Sequence, residues 1–119
     1  MDAKVIYHLT AVEEWEDAQD KGIYEPPSFK REGFIHCCTE EQLAGVQERL
    51  FKGQENLIKL TIDPALLTEK LQYDRDEEQQ QEFPHIYGPL NLSAVTGIVF
   101  LTPITSDKEN IDNPIGDSN

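Results

Sequence analysis

The sequence predicts an α+β domain with a split, curved, mixed or antiparallel sheet and two or three helices. Three observations carry that expectation. The first half alternates strand-like and helix-like stretches, the second half is almost all strand-like, and 119 residues suit a single core. The ordered domain is expected over residues 1–103. Residues 104–119, "ITSDKENIDNPIGDSN", have few large apolar side chains and read as an acidic, disordered tail.

"KVIYHL" (Lys4 to Leu9) alternates as a strand does, with Val5, Tyr7 and Leu9 on one face and Ile6 and His8 on the other. Thr10 and Glu13 form a T-x-x-E capping box, so a helix is expected next, with Val12, Trp15 and Ala18 as its apolar stripe and Gly22 as its stop. "IYEPPSFKRE" reads as a loop because of its proline pair. "GFIHCC" reads as a second strand. Thr39 and Gln42 then open a second helix through Leu43, Val46 and Leu50 to Gly53. "NLIKLTID" is a strand, Pro64 starts a short turn or helical piece, and "EKLQYD" is a further strand. "DRDEEQQQE", with five acids and one arginine, reads as a solvated loop. "FPHIYGPL" is a short strand ending in a turn, and "AVTGIVFLTP" a final buried strand.

Composition narrows the function classes. Ten basic against 23 acidic residues give a net charge of −13, which opposes nucleic-acid backbones and anionic membranes as partners but leaves a phosphate-bearing small ligand open. No apolar run reaches the roughly 18 residues of a membrane span. The opening "MDAKVIYHLT" lacks the pattern of a secretory leader, so a cytoplasmic protein is expected. Cys37 and Cys38 are adjacent and point to opposite faces of a strand, which argues against a shared structural zinc.

The three histidines are the candidate chemistry. His8 in "IYHLT", His36 in "FIHCC" and His85 in "FPHIY" each sit among apolar or aromatic neighbours. One such histidine is more often structural than catalytic; three together point to a shared cleft, lined also by Phe34 and Tyr87. His36 and His85 are the candidate general acid/base residues, and His8, Thr10, Phe34, Cys38 and Tyr87 candidate ligand contacts. Cys38 precedes a helix start and lies near His36, yet it lacks an opposed base and a third orienting group, so a thiol nucleophile is not expected. A three-histidine metal site and a non-enzymatic regulatory module are the alternatives.

"GFIHCCTEEQL", "FPHIYGPL" and the opening "IYHLT" resemble the small bacterial domain-of-unknown-function family 952, from Val5 to Pro103. Members of that family often carry serine where this chain has Cys38. The family's fold is similar to that of the ADP-ribosyltransferases and RNA 2'-phosphotransferases, in which the first strand carries Tyr-His-Gly-Thr; here it is Tyr7-His8-Leu9-Thr10. Ile35-His36 resembles the phosphotransferases' Ile-His strand. The resemblance implies NAD or a nucleotide-like ligand. His8 and Thr10 would hold a ribose or carboxamide, Phe34 and His36 would line the cleft, and His85 and Tyr87 would supply the third motif. Departures are Leu9 for the glycine, no acid within "FPHIYG" (Glu82 and Asp74 are the nearest candidates), and no arginine at the matching places. Arg31 precedes Gly33, and Arg75 lies inside the acidic run.

Overall fold

The computed structural model describes residues 4–103. Over these residues the chain is α+β, with three α-helices and antiparallel strands. β1 (Ile6–Ala11), β4 (Leu57–Ile62) and β8 (Val95–Phe100) form one sheet in the order β1-β4-β8. β3 (Ile35–His36), β6 (Gln81–Tyr87) and β5 (Lys70–Asp76) form a second in the order β3-β6-β5, and β2 (Ile23–Tyr24) pairs with β7 (Leu90–Asn91). The two larger sheets are stitched where the chain leaves β3. Cys37 N–H donates to the Pro84 carbonyl at 3.0 Å, and Cys38 exchanges two 2.8 Å backbone bonds with Tyr7. That splice brings the strand of His8 beside the strand of His36.

The core lies where the sheets meet helix α1 (Val12–Lys21). Ile6, Ile58, Leu60 and Ile62 meet Trp15, Ala18 and Tyr24, and Ile35, Ile86 and Leu90 close the other side. Several elements have a local cause. α1 places acidic Glu13 and Glu14 in its first turn, where the helix dipole favours them, and ends at Gly22 in the left-handed region at φ 83°. Thr10 does not cap it. Thr10 continues β1 opposite Ile58 and is buried, because the strand pairing runs two residues past the expected boundary at Leu9, to Ala11. The Thr39–Gln42 box does form, with Thr39 N–H donating to the Gln42 side chain at 3.0 Å. It opens a 3₁₀ turn (Glu40–Gln42) that runs into α3 (Leu43–Phe51).

Three expectations are corrected. The loop at 23–32 contains β2 and a helix, α2 (Pro27–Glu32). Pro27 at its first position pre-sets φ, and Gly33 closes it at φ 87°. The acidic run is not a loop throughout: β5 reaches Asp76 and β6 begins at Gln81, so only a tight turn separates them. The final strand is apolar but not buried. β8 is an edge strand with Ile98, Val99 and Phe100 exposed, Phe100 to 68%. The expected tail, 104–119, lies outside the described residues.

Candidate functional site

Strand register decides which side chains share a face. His36 lies opposite His85, Gln72 opposite His85 from the other side, and Asp74 opposite Phe83. One face of the β3-β6-β5 sheet therefore carries Phe34, His36, Gln72, Asp74, Phe83, His85 and Tyr87, while Ile35, Ile86 and Leu71 pack on the other.

On that face the aromatic rings cluster. Phe34 stacks on His85 with centroids 4.2 Å apart and planes 16° apart, and His36 meets His85 edge-on at 5.1 Å. Tyr87 lies 5.3 Å from Phe34. Asp74 is the polar hub. Its Oδ2 accepts from His85 Nδ1 at 2.8 Å and from the Tyr87 hydroxyl, and its Oδ1 accepts from the Gln72 amide at 2.6 Å. The Tyr87, Gln72 and His85 bonds hold the Asp74 carboxyl down at about 2, so it is ionised at neutral pH, and the bond to Asp74 in turn pushes the Tyr87 hydroxyl up. With Nδ1 donating to Asp74, His85 keeps Nε2 as the ring atom available to a ligand. His36 has its own carboxylate, Glu32, one helical turn back on α2 and bonded to Nε2. Two carboxylate-backed histidines thus stand side by side.

A cleft of about 730 Å³ opens beside them. His36 and His85 line it, as do Tyr7, Thr10, Cys38 and Phe83. Of the residues expected to contact a ligand, Phe34 and Tyr87 pack by the His85 ring and do not line the cleft, and Cys38 lies in the wall with 2% of its surface exposed. Burial raises the Cys38 thiol to about 11 despite nearby Lys59, and raises the Cys37 thiol as well, so neither is a ready thiolate.

His8 lies in the cleft wall but is turned inward. Nδ1–H donates to the His36 carbonyl at 2.5 Å and Nε2 accepts from the Tyr24 hydroxyl at 2.7 Å, so both ring nitrogens are spent inside the protein. Burial depresses its pKa to about 4, only partly opposed by the His36 carbonyl, and it is neutral. The ribose- or carboxamide-holding role expected of His8 finds no free ring nitrogen, and the three histidines do not converge on a metal. Among the described residues no group of three or more His, Cys, Asp or Glu side chains could hold an ion.

Of the two acids nearest the third motif, Asp74 lies in a run whose composition points to solvent, and its pairing with Phe83 turns it toward His85. Arg31 and Arg75 stand off the positions the family resemblance would give arginines, yet both line the cleft, as does Arg49, which the sequence does not single out.

Solved structures share this architecture. The chain is similar to the crystal structure of protein CC0527 from Caulobacter crescentus, at 32% identity over 83% of this chain and 87% of that one, with a TM-score of 0.77. It is also similar to the solution NMR structure of CC0527, at 33% identity over 82% and 84%, with a TM-score of 0.70. No curated protein matches it. The family described as "Protein of unknown function (DUF952)" matches residues 9–98, most of the chain and nearly all of the two sheets. The chain belongs to that family.

Proposed function

We propose that the cleft is a small-molecule site for a nucleotide-like ligand, NAD among the candidates, and that His85 serves there as general acid/base with His36 beside it. The observation that carries this reading is the Asp74–His85 pair. An ionised carboxylate takes Nδ1–H and fixes the tautomer, so Nε2 can accept a proton from an attacking hydroxyl or return one to a leaving oxygen. Phe34, stacked on the ring, holds it in plane. Tyr87 and Gln72 position Asp74 rather than touch a ligand.

The ADP-ribosyltransferase-like reading of the fold belongs with this proposal. In its favour, the Tyr7–Cys38 bridge sets the Tyr7–Thr10 strand alongside Ile35–His36 over one cleft. The chemistry is altered in two ways: His8 is locked, and the acid comes from β5 rather than from the "FPHIYG" strand. A cytoplasmic location fits two buried free thiols in a chain in which, among the described residues, no helix is long and apolar enough to cross a membrane.

The test is calorimetric titration of the protein with NAD, ADP-ribose and ATP, together with chromatography for released nicotinamide. Saturable binding of at least one ligand is expected, with any turnover lost in His85→Gln while binding persists. If none binds at millimolar concentration, the nucleotide reading fails and a binding module for another class of partner takes its place.

A further inference from the structure

The chain has three arginines, and every one lines the cleft; none of the described lysines does. Among the described lysines and arginines only Lys21 and Arg75 form an ion pair, Lys21 with Asp17 at 3.0 Å and Arg75 with Glu77 at 3.3 Å. Arg31 and Arg49 pair with no carboxylate, as is true of the other described lysines, and what sets these two apart is that they line the cleft.

Both unpaired guanidinium groups belong to helices that flank the histidines. Arg49, on α3, holds its Cζ 5.9 Å from the centre of the Phe83 ring. Phe83 is two residues before His85 on the same face of β6, roughly 7 Å along the strand. Arg31, on α2, directly precedes Glu32, whose carboxylate holds His36. Arg49 is thus held against the strand of His85, and Arg31 lines the cleft from the helix whose last residue holds His36. Arginine rather than lysine suits an oxyanion that is to be gripped in a fixed orientation, because its planar fork donates two parallel bonds. Glu14 and Asp76 also line the cleft, so the positive ground is local. It suits one or two charged groups on a compact ligand and not a nucleic-acid strand.

We infer that the cleft's ligand carries a phosphoryl group, received by Arg31 and Arg49 beside His36 and His85. This rests on the reading of the cleft as a small-molecule site and adds the chemical class of what enters it.

The experiment is isothermal titration of the full chain with pyrophosphate, with malonate as the carboxylate counterpart, and with adenosine and ADP as a matched pair. It is run on the wild type and on Arg31→Gln, Arg49→Gln, the double variant, Arg75→Gln and His85→Gln, with thermal melting to verify folding. Pyrophosphate should bind, and ADP should bind at least about tenfold more tightly than adenosine. That advantage should shrink in added salt and vanish in the double variant, while Arg75→Gln changes it little. Failure of pyrophosphate to bind, malonate binding as tightly, or an ADP preference that survives the double variant each overturns the inference. Nucleotide binding that ignores the arginines, with turnover lost in His85→Gln, sinks the phosphoryl site and leaves the acid/base reading standing. Arginine-dependent pyrophosphate binding, with turnover that survives His85→Gln, does the reverse.

Discussion

His8 and His85 occupy similar sequence settings, each on a strand among apolar neighbours, Tyr7 and Leu9 for one and Pro84 and Ile86 for the other, and the fold gives them opposite surroundings. His8 sits on the sheet that carries most of the core. It is 7% exposed, and both its nitrogens are bonded, one to a carbonyl and one to a tyrosine. His85 sits on the second sheet, on the face turned away from the core, with one nitrogen on a carboxylate and the other available. A histidine with two internal partners is a strut between strands; one with a single ionised partner keeps a ring nitrogen free, which is what the proposed acid/base role requires. The partners, not the residue or its apolar neighbours, separate the two roles.

The largest expected effect that would break this contrast is on acid stability. Folded His8 takes up a proton only near pH 4, whereas in the unfolded chain it does so near 6.5. Its stabilising contribution is complete above 6.5 and is lost as pH falls from there to about 4, on the order of 3 kcal/mol in urea titrations. Asp74 acts in a separate, lower window: its carboxyl is held at about 2 against an ordinary 3.8, so its contribution fades between those values. Next in size, His8→Phe should cost about 2 kcal/mol at pH 7 by orphaning the Tyr24 hydroxyl and the His36 carbonyl, and should flatten the loss between pH 6.5 and 4. Asp74→Asn should lower stability slightly and, more tellingly, release the His85 tautomer, read from its ring ¹⁵N shifts. Phe34→Ala should cost about 1 kcal/mol and broaden the His85 ring signals by removing the stack that holds the ring. The smallest effect is a near-null one: with the Cys38 thiol at about 11 and buried, thiol reagents at neutral pH should label the folded protein far more slowly than the urea-unfolded chain.

What was legible in the sequence was what local chemistry writes. The Gly22 stop, the Thr39–Gln42 box and the alternation of "NLIKLTID" depend on residues a few positions apart, and each formed. The histidine and aromatic face of the site was visible too, because "GFIHCC" and "FPHIYG" alternate. Long-range pairing was not. β2 and β7 are two residues long and exist only because they meet each other. Asp74 hid in an acidic run whose composition argues for solvent, and strand register alone turns it toward His85. Arg31, Arg49 and Arg75 come from a helix, another helix and a strand, with no spacing to connect them. Nor does an apolar run such as "VTGIVF" say whether it lies inside a sheet or at its edge, and β8 lies at the edge.

The measurement to make first is ¹H–¹⁵N spectroscopy of the three histidine rings, assigned by single substitution, during a titration with ADP at neutral pH. The expected result is that His36 and His85 move together and saturably, while His8 keeps the shifts of a neutral, Nδ1-protonated ring throughout. Movement of His8 in step with the other two, or saturation of the protein with neither His36 nor His85 responding, would contradict the division between a locked histidine and a working pair.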